Sequence, residues 1–356
     1  MQKILILAVV ATTLIACKKE SSEPSGGGTQ VAFENHQVLH AFAENVAQDN
    51  YTDLAAKSSA LRDAIQTFNT SLSDADLANC RQQWRDTRTS WERSEALLFG
   101  PVATENIDPR IDTWPVNFTD LEAQLSSGNA FTPEYITALE DALKGFHPIE
   151  YLLFGLNGDK TADQFTARER EYIVALAEDL AELTGSLRTS WDPTGSGNYS
   201  AVFAQAGDGS AVYPTERAAY EEVVNAMAGI CDEVANGKMG EVLLAQDASM
   251  EESPYSQNSI TDFTNNIRGV ENVYLGRYTA DGTGMENFVR EHSLQLDNTI
   301  KLQISASITA LNNITVPFGQ AITEQPVQVQ QAIDAINALA TTLNDELLPL
   351  VQQHVH

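Results

Sequence analysis

Basic residues are scarce in this sequence, since 21 Lys and Arg stand against 49 Asp and Glu, and the formal net charge is −28. Nucleic acids are bound through basic surfaces that neutralise phosphates, so this charge argues against a nucleic-acid partner. An acidic surface attracts cations, and it also keeps a protein soluble. We therefore predict no nucleic-acid binding and attribute most of the charge to solubility.

Several structural and catalytic patterns are also missing. After the first thirty residues no segment is apolar enough to cross a membrane, and alternating runs of β-branched residues are absent. The sequence contains no HExxH, which would supply two zinc ligands and a general base, and no G-x-S-x-G nucleophile elbow. These absences argue against membrane-spanning helices in the body of the protein and against a strand-rich fold. They also leave a peptidase without a familiar catalytic motif.

The N-terminus predicts export and a membrane anchor. A positive start and an apolar run form a signal peptide at 1–17 that ends in Leu14-Ile15-Ala16-Cys17, which resembles a bacterial lipobox. The lipobox predicts a lipid on Cys17, although an ordinary secretory signal is the alternative. A polar, glycine-containing tether follows at 18–30, and Lys18 is typical of outer-membrane sorting. We expect a lipid-anchored bacterial envelope protein whose only membrane contact is this anchor.

Two further cysteines leave two interpretations open. Cys80 and Cys231 could pair in an oxidising compartment. Each also lies on an apolar helical stripe, where buried free thiols are common. The stripes favour free thiols over a disulfide.

Apolar residues recur at spacings of three and four along most of the chain, which places them on one face of a helix. This periodicity predicts an all-α fold. The predicted helices lie near residues 31–48, 51–71, 74–99, 133–144, 148–155, 166–191, 215–237, 259–276, 285–311 and 325–352.

Three connections between these helices are long and rich in Gly, Pro, Asp or Ser. They are 100–132, 192–214 and 238–258. Because the middle connection divides the helices into comparable halves, we predict two packed helical bundles, one at 31–200 and one at 201–356.

The sequence also contains an internal repeat. Residues 91–100 and 146–155 share an aromatic residue, a ligand-type residue, two spacers, Glu, a spacer and Leu-Leu-Phe-Gly, and residues 271–276 are a fainter third copy. Each copy places a Glu shortly before a glycine that can end a helix. The pattern predicts two bundles related by an approximate repeat, with convergent helix-end chemistry as the alternative. The three glutamates are Glu95, Glu150 and Glu271.

The predicted helix at 74–99 carries charge on one face. Spacings of four and three place Arg88, Glu92 and Glu95 together, and Trp84 and Trp91 lie on a nearby stripe. A charged stripe beside large aromatic residues suggests partly buried ion pairs, which cost desolvation and need a reason. The alternative is a solvated face with ordinary pairs between neighbouring turns.

Among the histidines, His147 is the best candidate for a ligand, because Glu150 follows it three residues later. On a continuous helix, His147 and Glu150 share a face and could bind one metal ion. Pro148 supports a different interpretation, in which His147 caps a new helix and Glu150 is its capping-box residue. A site with one imidazole and several carboxylates differs from the His-rich sites typical of zinc, and it suits iron or another hard-to-borderline cation. We predict a bound metal ion, either iron or zinc.

Gly145-x-His147-x-x-Glu150 resembles the GxHxxE motif of imelysin-like proteins. The resemblance covers about residues 31–350 and includes further short motifs. These motifs are Trp84, Arg88, Trp91-Glu92 and Glu95, the run 107–115, Glu252-Ser253-Pro254-Tyr255-Ser256, and Asp262-Phe263-x-x-Asn266.

The resemblance implies two helical bundles, a signal peptide or lipid anchor, and occurrence among iron-regulated envelope proteins. It places the motif on Gly145, His147 and Glu150, and it includes both metallopeptidases and relatives that act in iron uptake. We predict metal binding in iron acquisition, with iron-uptake partner proteins. A metallopeptidase and a non-enzymatic interaction scaffold are the alternatives. The predicted metal residues are His147, Glu150, Glu92 and Glu95, and the predicted binding residues are Arg88, Asp112, Trp114 and Glu271.

Overall fold

The computed structural model describes residues 34–195, 198–279 and 281–356, and all regular structure in these ranges is helical. The predicted all-α fold is confirmed. None of the helices in these ranges combines the length and the apolar composition that a membrane span requires. The predicted signal peptide, Cys17 and the tether at 18–30 lie outside the described residues and stay predictions.

The described residues form eighteen α-helices. They are α1 (Asn35–Ala41), α2 (Asp49–Ser71), α3 (Asp74–Ser94), α4 (Pro101–Thr104), α5 (Ile107–Asp112), α6 (Phe118–Ser126), α7 (Pro133–Thr137), α8 (Phe146–Phe154), α9 (Ala167–Ser190), α10 (Tyr199–Ala204), α11 (Glu216–Asp232), α12 (Val242–Ala245), α13 (Ser259–Leu275), α14 (Met285–His292), α15 (Leu294–Asn312), α16 (Phe318–Glu324), α17 (Pro326–Thr342) and α18 (Leu348–His354).

Wider and tighter helical turns complete the regular structure. The π-helical segments are Phe42–Gln48, Glu233–Glu241 and Leu343–Leu347. The 3₁₀ turns are Glu95–Leu97, Asp141–Leu143, Ala162–Gln164 and Ala248–Met250. Each π segment continues directly from one α-helix into the next, so α1 and α2 form one continuous helix where the sequence predicted a break.

Helix ends follow local side-chain chemistry. Ser73 accepts a hydrogen bond from the backbone of Asp76 at the start of α3, and Thr166 and Glu169 form a capping box at the start of α9. The Ser293 side chain accepts a hydrogen bond from the backbone of Leu296 at the start of α15. This cap interrupts the single helix predicted at 285–311.

The three long connections were predicted without helices, and the structure corrects this. Residues 100–132 contain α4, α5 and α6, and the other two connections contain α10 and α12. These helices have only four to nine residues. So short a segment holds one or two turns, too few for a hydrophobic repeat to be recognised.

Helix α3 packs against helices from both halves of the chain. It packs against α2 in the first half and against α13 in the second, while α2 also packs on α9 and α15 packs on α17. The described residues belong to one compact unit. The bundle boundary at residue 200 stays a prediction.

The core is apolar and contains both remaining cysteines. Trp84, Trp91 and Trp191 are fully buried in it. Cys80 and Cys231 are buried and free, as their apolar stripes indicated. Burial raises the pKa of each thiol to about 12, so both stay protonated at neutral pH.

Candidate functional site

Arg88 lies at the centre of a buried cluster of charged side chains. Its Nη2 is 2.5 Å from Glu92 Oε1 and 2.8 Å from Glu252 Oε1. Its Nη1 contacts Asp112, and its Nε lies 3.7 Å from Asp262 Oδ1. Because the guanidinium is fully buried, this face of α3 carries buried ion pairs and the solvated alternative is wrong.

Burial alone would lower the pKa of Arg88, but the surrounding carboxylates raise it well above its usual value. The pKa of Asp112 is shifted in the opposite direction. Burial would raise its pKa, but Arg88 and His147 keep it well below the usual range. Trp91 Nε1 also donates a hydrogen bond of 2.6 Å to Asp112 Oδ2. Asp112 is therefore a fixed carboxylate at neutral pH.

His147 is positioned by a glycine that no other residue could replace without strain. Gly145 has φ +80°, and a Cβ atom there would lie 2.0 Å from the carbonyl oxygen of Ile111. The close approach brings the start of α8 against the end of α5, where Asp112 lies. His147 Nε2 is then 3.0 Å from Asp112 Oδ1, close enough for an ion pair.

Helix α8 begins two residues earlier than the capping interpretation requires. Its N-cap is Gly145, and Phe146 is its first residue. Pro148 is then the third helical residue, where a missing N–H removes no intrahelical hydrogen bond. His147 and Glu150 therefore lie on one face of a continuous helix, with Nδ1 and Oε2 3.5 Å apart. The interpretation of the two residues as a cap is wrong.

Glu150 is held by the second half of the chain. Its Oε1 accepts hydrogen bonds from the backbone N–H of Ser256 at 2.8 Å and from the Ser256 hydroxyl at 2.6 Å. Arg85 Nη2 donates to the Ser256 carbonyl at 2.9 Å. The carboxylate of Glu150 is thus fixed with one oxygen directed at the imidazole.

Lys238 and Asn266 complete the cluster from the second half. Lys238 Nζ is 2.9 Å from Glu95 Oε2 and 2.8 Å from Glu252 Oε1. Asn266 Nδ2 donates to Glu92 Oε2 at 2.8 Å and to Glu95 Oε2 at 2.6 Å. One ammonium and one amide therefore bridge the carboxylates of α3 and its C-terminal turn.

The cluster holds more acidic groups than basic ones. Its basic groups are Arg88, Lys238, His147 and the half-buried Arg85, and its carboxyl groups are Glu92, Glu95, Asp112, Glu150, Glu252 and Asp262. Four positive charges cannot neutralise six negative ones, so some carboxyl groups in a low-dielectric interior must stay protonated.

The pKa values show where the protons stay. Burial raises the pKa of Glu95 to about 8 and that of Asp262 to about 7, and it raises that of Glu92 well above its usual value. Burial would lower the pKa of His147, but Asp112 and Glu150 raise it to about 9. A cation that entered the cluster would replace some of these protons.

Two groups of side chains could hold such a cation. Potential ligand atoms of Asp112, His147 and Glu252 lie within 4.8 Å of one another, and so do those of Glu92, Glu95 and Asp112. Several buried oxygens nearby have no hydrogen-bond donor among the described residues. These oxygens are Glu150 Oε2, Glu252 Oε2 and Asn266 Oδ1. Carboxylate, amide and imidazole ligands fit iron and similar divalent metals.

Two pockets adjoin the cluster and share Trp114 and Lys238. The smaller, of about 220 Å³, is also lined by Glu95, Asp112 and Glu252 and by further acidic residues. The larger, of about 880 Å³, is mainly apolar. Trp114, which lines both pockets, also packs against the imidazole of His147, with ring centroids 5.0 Å apart.

The structure brings seven of the eight predicted site residues together and leaves one outside. Glu271 lies on α13, is a third exposed and pairs with Arg268 at 3.2 Å. Lys238, Glu252 and Asp262 were not predicted as site residues. A sequence signal for Glu252 and Asp262 was present, because both belong to short motifs that carry the resemblance to imelysin-like proteins.

The chain is similar to known proteins over most of its length. The Imelysin (Peptidase M75) family model matches residues 47–345, which is most of the sequence. The chain belongs to the imelysin family. Iron-regulated protein A of Synechococcus elongatus is 33% identical over 354 residues, covering 97% of this chain and 92% of the relative.

Solved structures of imelysin relatives have the same fold. A protein of Parabacteroides distasonis, described as an iron-regulated protein A precursor, has a TM-score of 0.80 at 26% identity, covering 90% of this chain and 94% of its own. An imelysin-like protein of Psychrobacter arcticum has a TM-score of 0.71 at 15% identity, covering 89% and 95%. The second similarity concerns the fold alone.

Proposed function

We propose that this imelysin-family protein binds a metal cation, iron, as its cargo in iron acquisition. The observation that carries the proposal is the buried surplus of carboxyl groups around His147 and Asp112. A purely structural cluster would be expected to balance its charges, because each uncompensated buried charge costs free energy. The name of the Synechococcus relative supports iron as the metal.

Several side chains of the cluster would supply ligands to the cation. Asp112, His147 and Glu252 supply one imidazole and two carboxylates, and Glu92 and Glu95 supply further oxygens. Arg88 stays in place as a counter-charge that keeps the carboxylates together before the cation arrives. When bound, the cation supplies the positive charge that the cluster otherwise obtains from protons.

Calorimetric titration of the protein with Fe²⁺ under anaerobic conditions, and with Zn²⁺, tests the proposal. We expect saturable binding with proton release, and we expect His147→Ala to weaken the affinity by at least about tenfold because it removes the one imidazole of the two candidate ligand groups. Glu271→Gln is the matched control, since this carboxylate lies outside the cluster. Melting curves establish that each variant is folded.

The outcome also separates the alternative functions. If the wild-type protein takes up neither metal, the proposal fails and an interaction scaffold becomes the better explanation. If the metal-loaded protein cleaves an unfolded protein substrate and a chelator stops the cleavage, the metal serves a metallopeptidase instead. If His147→Ala binds the metal as tightly as the wild-type protein, the metal binds outside the cluster.

We further propose that the protein is held at the outer membrane by a lipid on Cys17 and works there with iron-uptake partner proteins. The lipobox pattern and the polar tether at 18–30 support this location. Fractionation of cells that express the protein or its Cys17→Ala variant tests the anchor. We expect the wild-type protein in the outer-membrane fraction, and equal membrane association of the variant would contradict the proposal.

A further inference from the structure

Lys238 has the environment that a bound cation would have. Its ammonium lies between Glu95 and Glu252, at 2.9 and 2.8 Å, with Glu233 at 3.5 Å and Glu92 at 4.0 Å. Four carboxylates from different parts of the chain thus surround one positive charge. Three of them, Glu92, Glu95 and Glu252, also belong to the groups of side chains that could hold a metal.

The surroundings of Lys238 contain oxygens that its ammonium does not satisfy. Glu252 Oε2 and Asn266 Oδ1 are buried and have no hydrogen-bond donor in the described part of the chain. A lysine offers three N–H groups and no more, whereas a metal ion accepts about six oxygen or nitrogen ligands. The cavity is therefore built with more acceptors than the lysine uses.

Lys238 differs from Arg88 in how firmly it is held. The guanidinium of Arg88 is fully buried and forms a planar, multidentate set of contacts with its carboxylates. The ammonium of Lys238 is a point charge on a flexible stem, its side chain is 13% exposed, and it lines both pockets. It belongs to the π-helical segment Glu233–Glu241, and π turns are frequent at functional sites.

We propose that Lys238 is a tethered substitute for the metal, which holds the carboxylates of the cation-free site together and is displaced into the larger pocket when the metal binds. The inference rests on the proposed function, because it assumes that the cluster takes up a cation. The pocket of about 880 Å³ borders Lys238 and also contains Glu241, so the released ammonium can reach water and a new carboxylate. Lysine and metal then compete for the same oxygens.

Competition predicts the effect of removing the lysine. Titration of wild type, Lys238→Met and Lys238→Arg with Mn²⁺, an air-stable substitute for Fe²⁺, measures it. We expect Lys238→Met to bind Mn²⁺ roughly tenfold more tightly or better, since no ammonium must leave. Lys238→Arg should bind more weakly than wild type, because a guanidinium in that position is harder to displace. Lys57→Met is the control, as Lys57 pairs with Asp53 outside the cluster.

A second measurement on the wild-type protein detects the displacement itself. Lysine acetylation followed by mass spectrometry should show little modification of Lys238 without metal and several-fold more with saturating Mn²⁺. Lys57 should be modified equally in both states. This readout separates movement of the lysine from a general electrostatic gain in the Lys238→Met variant.

The possible results distinguish the two proposals. If wild type and Lys238→Met bind Mn²⁺ with equal affinity, or if metal leaves the acetylation of Lys238 unchanged, Lys238 is not displaced while metal binding itself stands. If none of the proteins binds Mn²⁺, Fe²⁺ or Zn²⁺, the proposed function fails and this inference fails with it.

Discussion

Two regions of the molecule bury charged side chains and do so differently. Asp297 on α15 is almost fully buried, and it accepts a hydrogen bond from the Tyr274 hydroxyl at 3.0 Å. Lys301 and Arg290 lie 3.0 and 3.3 Å from its oxygens and also pair with Glu286. Two carboxylates thus meet two basic side chains, both of which are partly exposed.

The cluster around Arg88 has neither equal numbers of acidic and basic groups nor an exposed central basic side chain. Its carboxyl groups outnumber its basic groups, and its central guanidinium is completely buried. The comparison shows that a buried carboxylate alone does not mark a site, since Asp297 is buried and balanced. What distinguishes the Arg88 cluster is an excess of hydrogen-bond acceptors for which residues 34–195, 198–279 and 281–356 supply no donor.

Removal of the central basic residue should separate the two regions most clearly. Arg88→Met leaves several buried carboxylates without their cation, and we expect a loss of about 3–5 kcal/mol in the free energy of unfolding. Arg290→Met affects a side chain that is 47% exposed, and we expect a loss of about 0–1 kcal/mol. Urea denaturation of both variants measures the difference, and similar losses would contradict the comparison.

The dependence of stability on pH should be the next largest effect, because the folded protein keeps protons on buried groups that the unfolded chain releases. Glu95 binds its proton up to a pH of about 8 in the folded protein, against 4.5 for an ordinary Glu, and His147 does so up to about 9, against 6.5. The folded state holds more protons in this range, so the metal-free protein loses stability as the pH rises from about 5 to about 9.

Urea titrations in a chelator at pH 5, 7 and 9 measure this loss. The lowered pKa of Asp112 makes no contribution to it, because that carboxylate is ionised in both states throughout the range. Glu95→Gln should flatten the dependence, since an amide does not titrate. A stability that increased with pH in the wild-type protein would refute the assignment of the protons.

The smallest of the three effects concerns the backbone beneath the histidine. Gly145→Ala places a methyl group against the carbonyl of Ile111 at a positive φ, and we expect a loss of about 1–3 kcal/mol together with weaker metal binding. Gly185→Ala is the matched control. Gly185 is helical and has free space around its Cβ position, so alanine should stabilise α9 by about 0.5–1 kcal/mol. Melting curves with metal titrations test both.

The sequence predicted the fold class better than it predicted the short helices and the helix ends. Helical periodicity is strong in long amphipathic segments such as α9, so the all-α class and the long helices could be found. The short helices α4 and α5 contain too few turns to show a period. The start of α8 was misplaced because Pro148 is favoured at the first helical position but is also tolerated at the third.

The candidate site was predictable where its residues share one helix. Spacing on α3 placed Arg88, Glu92 and Glu95 together, and the motif on α8 supplied His147 and Glu150. Lys238 could not be found in this way, because Glu92 and Glu95 lie far from it in sequence and a lysine in a polar segment is normally solvent-exposed. Glu271 was included through the third repeat, but its carboxylate lies on the solvent side of α13.

The contact between Arg88 and Glu252 joins residues 164 positions apart in the chain. Closing so long a loop costs conformational entropy before the contact repays it, so we expect interactions of this kind to form late in folding. We also expect the charges of α3 to stay hydrated until residues 238–266 dock and bring in their partners. A chain with only its first half lacks Lys238, Glu252 and Asp262 and cannot build the cluster.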